Sequence, residues 1–253
     1  MSGHSNVLKP IGCCLHTPSP IFVYEFAANG VLAYRIHVSS VTERQHEPMV
    51  WERRLKIARQ IAHALSYLHT AFPRPVIHMN IDMRSILLNE HDVPKLSGFY
   101  FSVSIPEGET DVEVHYRCLN PRVFAPEFNA TGKVMEKTDV FDFGRFLFEL
   151  LTGEDSQDGE GGPSLEQQLQ TFLDLGLACT EEDPQRRPTM VDVTKQLRQI
   201  ERFTQTGEEL GGNLQNLKLL ESFEEHASTS LKRNASSDEI QVVNEASERP
   251  LEV

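Results

Sequence analysis

The chain has 253 residues, with 39% apolar and 24% charged residues and a net charge of −13. This composition argues against global disorder, and the negative charge disfavours nonspecific nucleic-acid binding and attraction to anionic lipid. No apolar run approaches the roughly 18 residues of a membrane span, and Met1-Ser2-Gly3-His4 has neither the regions of a signal peptide nor a myristoylation start. The four cysteines include an adjacent pair, Cys13 and Cys14, and two isolated residues, Cys118 and Cys179. They form neither a disulfide framework nor a zinc spacing, and read as reduced thiols.

In chain order, Val7 to Cys14 and Ile21 to Phe26 are rich in apolar and β-branched residues. With "HTPSP" between them they predict an antiparallel hairpin, and "AANG" ends its second strand. Residues 50 to 70 carry Trp51, Leu55, Ala58, Ile61, Leu65 and Leu68 at spacings of three or four, the pattern of an amphipathic helix. Pro73 and Pro75 stop it. Short strands are expected at Ile86–Leu88 and Lys95–Leu96. Residues 98 to 128 have weak periodicity and several Pro and Gly, and read as a long ordered loop.

Residues 138 to 151 predict a helix buried all round, capped by Thr138 or Asp139 and closed by Gly153. "EDSQDGEGGPS" reads as a surface loop. "GEGG" within it (159 to 162) neither follows a strand nor opens a helix. Residues 165 to 180 and 190 to 203 predict two further amphipathic helices. Beyond about residue 205 the composition shifts: residues 206 to 253 hold ten acids against four bases and one aromatic residue. Leu214, Leu217, Leu220 and Phe223 lie on one helical stripe, and the remainder reads as disordered. Ser236 and Ser237, with Arg233 upstream, are candidate phosphorylation sites. "NAS" at 234 is a sequon that a cytosolic chain would leave unmodified.

Five motifs in order carry a resemblance. "HSNVLKPIGCC", "FVYEFAANG", "FAPEF", "DVFDFG" and "RRPTM" resemble the strand-4 entry, hinge, Ala-Pro-Glu element, buried-helix start and closing arginine of a protein kinase domain. The detailed likeness is to plant receptor-like (cytoplasmic) kinases, and "LSGFYFSVSIPEGE" is similar to their ZRK-type pseudokinase branch. The resemblance implies an α+β, protein-kinase-like fold. Residues 1–30 would be a remnant of the small lobe, residues 31–205 the helical lobe, and residues 206–253 an acidic tail. Tyr24 would be the gatekeeper, and Glu25, Phe26 and Ala27 the nucleotide hinge.

Kinase catalysis needs a base, metal-binding Asn and Asp side chains, a strand-3 Lys and a Gly-rich cover. The family's His-Arg-Asp corresponds to His78-Met79-Asn80, and Asn80 cannot accept a proton as a carboxylate does. Loss of general-base help alone costs about 10²- to 10⁴-fold. The catalytic-loop lysine position holds Asp82, the Mg-binding asparagine position Ser85, and the Asp-Phe-Gly triplet reads Gly98-Phe99-Tyr100. Nothing before residue 5 supplies a Gly-rich loop or a strand-3 lysine, so a cut small lobe with an open strand edge is expected. Asp82 or Asp92 as metal ligand and Glu90 as base would be substitutes; read plainly, all three are solvated loop charges. His78 is a spine packing residue in the family.

The scaffold groups persist. Glu127 and Arg187 match the family's buried ion pair, Asp139 its helix-start carboxylate, and Phe99 its spine aromatic. The resemblance therefore implies a catalytically inactive domain with no expected ATP, Mg or other cofactor. It implies a cytoplasmic adaptor, brought to the inner face of the plasma membrane by its partners. Those partners would be an NLR-type immune receptor or other receptor-like cytoplasmic kinases, met through "FSVSIPEGETDVEVHYR". The short stretch before residue 165 leaves little room for the family's helix G. Three rival readings remain: a weak Ser/Thr kinase, a regulatory nucleotide-binding domain, and a truncated product without a role.

Overall fold

Two short apolar runs open the described chain. The computed structural model describes residues 3–17, 19–36, 49–114, 125–152 and 163–206. The expectations for Cys118, Gly153, the "GEGG" loop and the acidic tail with Ser236 and Ser237 lie outside those residues. β1 (Pro10–Cys14) and β2 (Ile21–Tyr24) pair antiparallel, with Cys13 opposite Phe22 and Cys14 opposite Ile21. The sequence predicts a first strand from Val7. Instead Asn6 to Leu8 turn the other way: the Leu8 amide donates to the Leu96 carbonyl at 2.9 Å and Leu96 donates to Asn6 at 2.8 Å. Pro10 has no N–H to continue that ladder. Val7 is consequently buried while every residue of β2 is exposed.

Next come α1 (Ala33–Ile36), one turn that no periodicity announced, and α2 (Trp51–Thr70), close to its expected bounds. The apolar stripe of α2, including Leu55, Ala58, Ile61, Leu65 and Leu68, is buried. Its Trp51 donates from Nε1 to Gln168 and meets the Phe172 ring edge-on at 4.9 Å. Five short strands follow: β3 (Val76–Ile77), β4 (Ile86–Leu88), β5 (Pro94–Leu96), β6 (Val103–Ser104) and β7 (Val112–Glu113). Then come α3 (Pro126–Thr131), β8 (Lys133–Val134), α4 (Glu136–Leu151), α5 (Pro163–Cys179) and α6 (Met190–Thr206). The antiparallel pairs are β3 with β6, β4 with β5, and β7 with β8.

The stretch 98 to 128, expected as one ordered loop, thus contains a 3₁₀ turn at Phe99–Phe101, β6, β7 and the start of α3. Two-residue strands are too short to produce a period that a sequence pattern reveals.

α4 is the centre of the core, and none of its residues is exposed. It starts two residues before the expected position. Met135 is its N-cap residue, and Met135 donates its backbone N–H to Thr138 Oγ1 at 3.2 Å. A Cβ on Gly144 would stand 2.7 Å from Cys179 Cβ and 2.8 Å from Thr180, so only glycine lets α4 and α5 approach this closely. α2 packs on α6, and both close over the α4–α5 pair.

Candidate functional site: the loop between β3 and β4

Residues 78 to 85 connect β3 to β4 and are held from below by α4. The Asp139 carboxylate accepts the backbone N–H groups of His78 (2.8 Å) and Met79 (2.9 Å), and lies 2.9 Å from His69 Nε2. A buried carboxylate is costly unless its lone pairs are filled, and here three donors fill them. Met79 has φ 62, in the left-handed region, yet it is fully buried against Ile77, Ile105, Phe128 and Val134. Packing and the Asp139 anchor together compensate a backbone conformation that an isolated Met would avoid.

His78 is fully buried. Its Nε2 lies 2.9 Å from the Ser97 carbonyl, which only accepts, so Nε2 carries the proton. Its ring meets Phe99 edge-on at 4.7 Å. Burial lowers its pKa against the raising influence of Asp139, so the ring is neutral at pH 7.

The structure brings Asn80, Ser85 and Gly98 together. Asn80 is buried, and a Cβ on Gly98 would lie 2.9 Å from its Nδ2 and 3.5 Å from Ser85 Cβ. Gly98 has φ 84, which a side chain rarely adopts. Ser85 Oγ donates to the Asp82 carbonyl at 2.8 Å, and Ser97 Oγ donates to the Ser85 carbonyl at 2.8 Å. Asp82 Oδ1 accepts the amides of Arg84 and Ser85, both at 2.8 Å, turning that oxygen into its own loop.

Of the substitutes named from sequence, Asp82 lies in this loop, and Asp92 and Glu90 fall elsewhere. The sequence predicts a solvated loop charge at Asp92, and the structure covers it. It sits in a left-handed turn (φ 54), with Arg35 Nη1 at 3.2 Å, Arg53 Nη1 at 2.9 Å and the Asn29 amide at 2.6 Å. Tertiary folding brings those partners from positions remote in sequence, so the charge is largely covered. Glu90 is exposed beside His91, 3.8 Å away.

In the hinge stretch, Tyr24 and Phe26 are exposed. The Glu25 amide donates to the Lys9 carbonyl at 2.9 Å, and its carboxylate pairs with Lys95 at 3.1 Å. Burial pushes the Glu25 pKa up, but the Lys9 amide and Lys95 hold it below the usual range. The Ala27 carbonyl accepts from Gly30 at 3.2 Å.

Glu127 and Arg187 meet in a two-pronged ion pair, Nη1 to Oε1 at 2.9 Å and Nη2 to Oε2 at 2.8 Å. Arg187 also donates to the carbonyls of Lys137, Glu181 and Glu182 and stacks over Phe141. All five guanidinium N–H directions are therefore used.

One feature of the site escaped the reading of the sequence. Asp142, Arg145 and Glu149 interrupt the apolar pattern of α4, and that interruption was the available signal. Glu149 Oε2 lies 3.4 Å from the Met83 amide, so α4 braces the loop at a second point. Burial raises the Glu149 pKa; Asp82 adds to that direction, while the Met83 amide opposes it.

Among the described residues no cluster of three His, Cys, Asp or Glu could hold a metal ion, and no helix is long and apolar enough to cross a membrane.

Comparison with known proteins gives the family. The sequence model of the family described as protein tyrosine and serine/threonine kinase matches residues 1–197. Three Arabidopsis thaliana proteins are among the similar ones. The serine/threonine-protein kinase ZRK1 is 34% identical, covering 79% of this chain and 66% of its own length. The non-functional pseudokinase ZRK2 is 36% identical, covering 79% and 65%. The inactive serine/threonine-protein kinase ZRK12 is 40% identical, covering 80% and 56%. The chain thus spans between about half and two thirds of the length of these relatives, some named inactive and some named kinases. The chain belongs to the protein tyrosine and serine/threonine kinase family, beside several named pseudokinases.

Proposed function

We propose that this chain is a pseudokinase that acts as a protein-binding adaptor in plant immune or receptor signalling. The carrying observation is the cluster of Asn80, Ser85 and Gly98, which by the family resemblance occupy the positions of the base and both metal ligands. None of the three is a carboxylate, and Asp82 directs one oxygen at its own backbone. Phosphoryl transfer depends on positioned carboxylates and metal-borne charge stabilisation, and the absence of a carboxylate at these three positions supports the inactive reading. Ordered scaffold contacts around Asp139 and Arg187 support a loop retained as a frame. Relatives named inactive support the same reading.

The partner-facing surface in this reading includes the small-lobe hairpin. Ile11, Leu15, Phe22 and Phe26 are exposed there, Phe26 at 85%. Exposed large apolar side chains gathered on one hairpin support an interaction surface there. The proposed partners are an NLR-type immune receptor and receptor-like cytoplasmic kinases, placing the chain in the cytoplasm and at the inner face of the plasma membrane when recruited.

Two measurements test the reading. Incubation of the purified full chain with radiolabelled ATP and Mg²⁺ is expected to transfer no phosphate to itself or to a generic substrate. Activity that disappears on Asp82→Asn would overturn the inactive assignment. For the adaptor role, Phe22→Lys/Phe26→Lys is expected to reduce co-precipitation of receptor-like cytoplasmic kinases and leucine-rich-repeat receptors. Failure of the wild-type chain to retain either class would sink it.

A further inference from the structure

We propose that the open groove between α2 and α6, walled by Arg59, Arg198 and Arg202, binds a phosphorylated segment of a protein partner. The groove has a volume of about 310 Å³, and its four lining residues are these three arginines and Glu201. Arg59 projects from α2. Arg198 and Arg202 stand four residues apart on α6, a spacing that places both on one face of the helix. Both α6 arginines are exposed.

Two observations indicate what the groove prefers. First, it already holds a carboxylate: Glu201 Oε2 lies 2.6 Å from Arg59 Nε, and Oε1 lies 3.4 Å from Nη2. Arg59 thus makes an ion pair with a carboxylate and one hydrogen bond to it from Nη2, an oxyanion contact of the kind arginine also offers phosphate. Second, the surrounding field is positive. His63, one turn along α2 from Arg59, is made harder to protonate first by its burial and then by Arg198 and Arg59. Its other close neighbours, His4 at 2.9 Å and the Tyr67 side that His4 packs against, bring no anion.

This cationic groove belongs to a chain of net charge −13. At physiological salt a charge is felt over only about 8 Å, so a compact phosphate entering the groove meets the three arginines and the single Glu201 carboxylate rather than the remote acids. An extended anionic membrane would meet the whole acidic protein and be repelled. The balance favours a discrete phosphorylated peptide over a lipid surface. The groove shares no residue with the loop between β3 and β4, so this proposal and the inactive reading of that loop stand or fall separately.

The test uses the full chain and a fluorescent library of phosphoserine peptides with degenerate flanks, alongside the same library without phosphate. Anisotropy is expected to show at least about tenfold tighter binding of the phosphorylated library. Arg198→Gln/Arg202→Gln is expected to remove that preference while leaving the melting temperature unchanged, since both side chains are exposed. The His63 imidazole, followed by NMR, is expected to titrate at higher pH with the phosphorylated library bound. Equal binding of both libraries, or an undiminished preference in the double variant, overturns the proposal. So does arginine-dependent binding to phosphatidylserine vesicles without binding to the phosphopeptides.

Discussion

Asp139 Oδ1 accepts the backbone N–H of Met79 at 2.9 Å, and Met79 holds a left-handed backbone with φ 62 while fully buried. The contact joins the central helix to the loop where a kinase would place its working groups. The loop shape is thus maintained by a carboxylate that never meets solvent. Asp139→Ala would leave the amides of His78 and Met79 and one His69 nitrogen without their acceptor. We expect a loss of about 3–5 kcal/mol, read as a lower urea midpoint at unchanged slope.

Arg187 and Glu127 make a second structural prediction. The guanidinium is buried and saturated, and removing it strands the Glu127 carboxylate. Arg187→Ala is expected to cost about 3–5 kcal/mol in urea denaturation. Arg187→Lys recovers only part of that, because an ammonium cannot supply the paired parallel bonds.

His78 gives a pH dependence. Its folded pKa lies below the ordinary 6.5, chiefly through burial. Between the two values the unfolded chain binds more protons than the folded one. The stabilisation is therefore fully present above the unfolded value and is lost as pH falls through the folded value. His4 and His63 shift in the same direction. Denaturation of His78→Leu between about pH 7 and about pH 5 is expected to show a shallower, but not flat, decline than wild type.

Cys179 is buried, and burial pushes its thiol up to about 12. At pH 8 that leaves a thiolate fraction of about 10⁻⁴, against about a quarter for an ordinary thiol near 8.5. Cys13 is exposed and Cys14 half-buried. In a Cys118→Ser background, iodoacetamide is expected to label Cys13 and Cys14 in the native protein, and Cys179 only in urea. Mass spectrometry of the digested protein decides it. Native labelling at Cys179 would show that α4 and α5 part more readily than their close packing allows.

The sequence was most informative where a period runs long. Trp51 to Leu68 repeats over five turns, and α2 and α4 fall within two residues of their expected bounds. It was least informative where elements are two residues long, as in β6 and β7, or where one run serves two neighbours. Val7 to Cys14 looks like a single strand, yet Asn6 to Leu8 pair with β5 and Pro10 to Cys14 with β2.

Residue identity alone determined which chemical groups the loop contains: an amide at Asn80, a hydroxyl at Ser85, no side chain at Gly98. It also determined the family, because five motifs in order survive in the linear chain. Only the tertiary structure decided where charges end up. Asp92 reads as a loop acid but finds Arg35 and Arg53, and Arg59, Arg198 and Arg202 line one groove although about 140 residues of chain separate Arg59 from the other two. The physical reason is range: covalent neighbours set backbone preference, whereas an ionised group is tuned by whatever charges and dielectric the fold brings within a few ångströms.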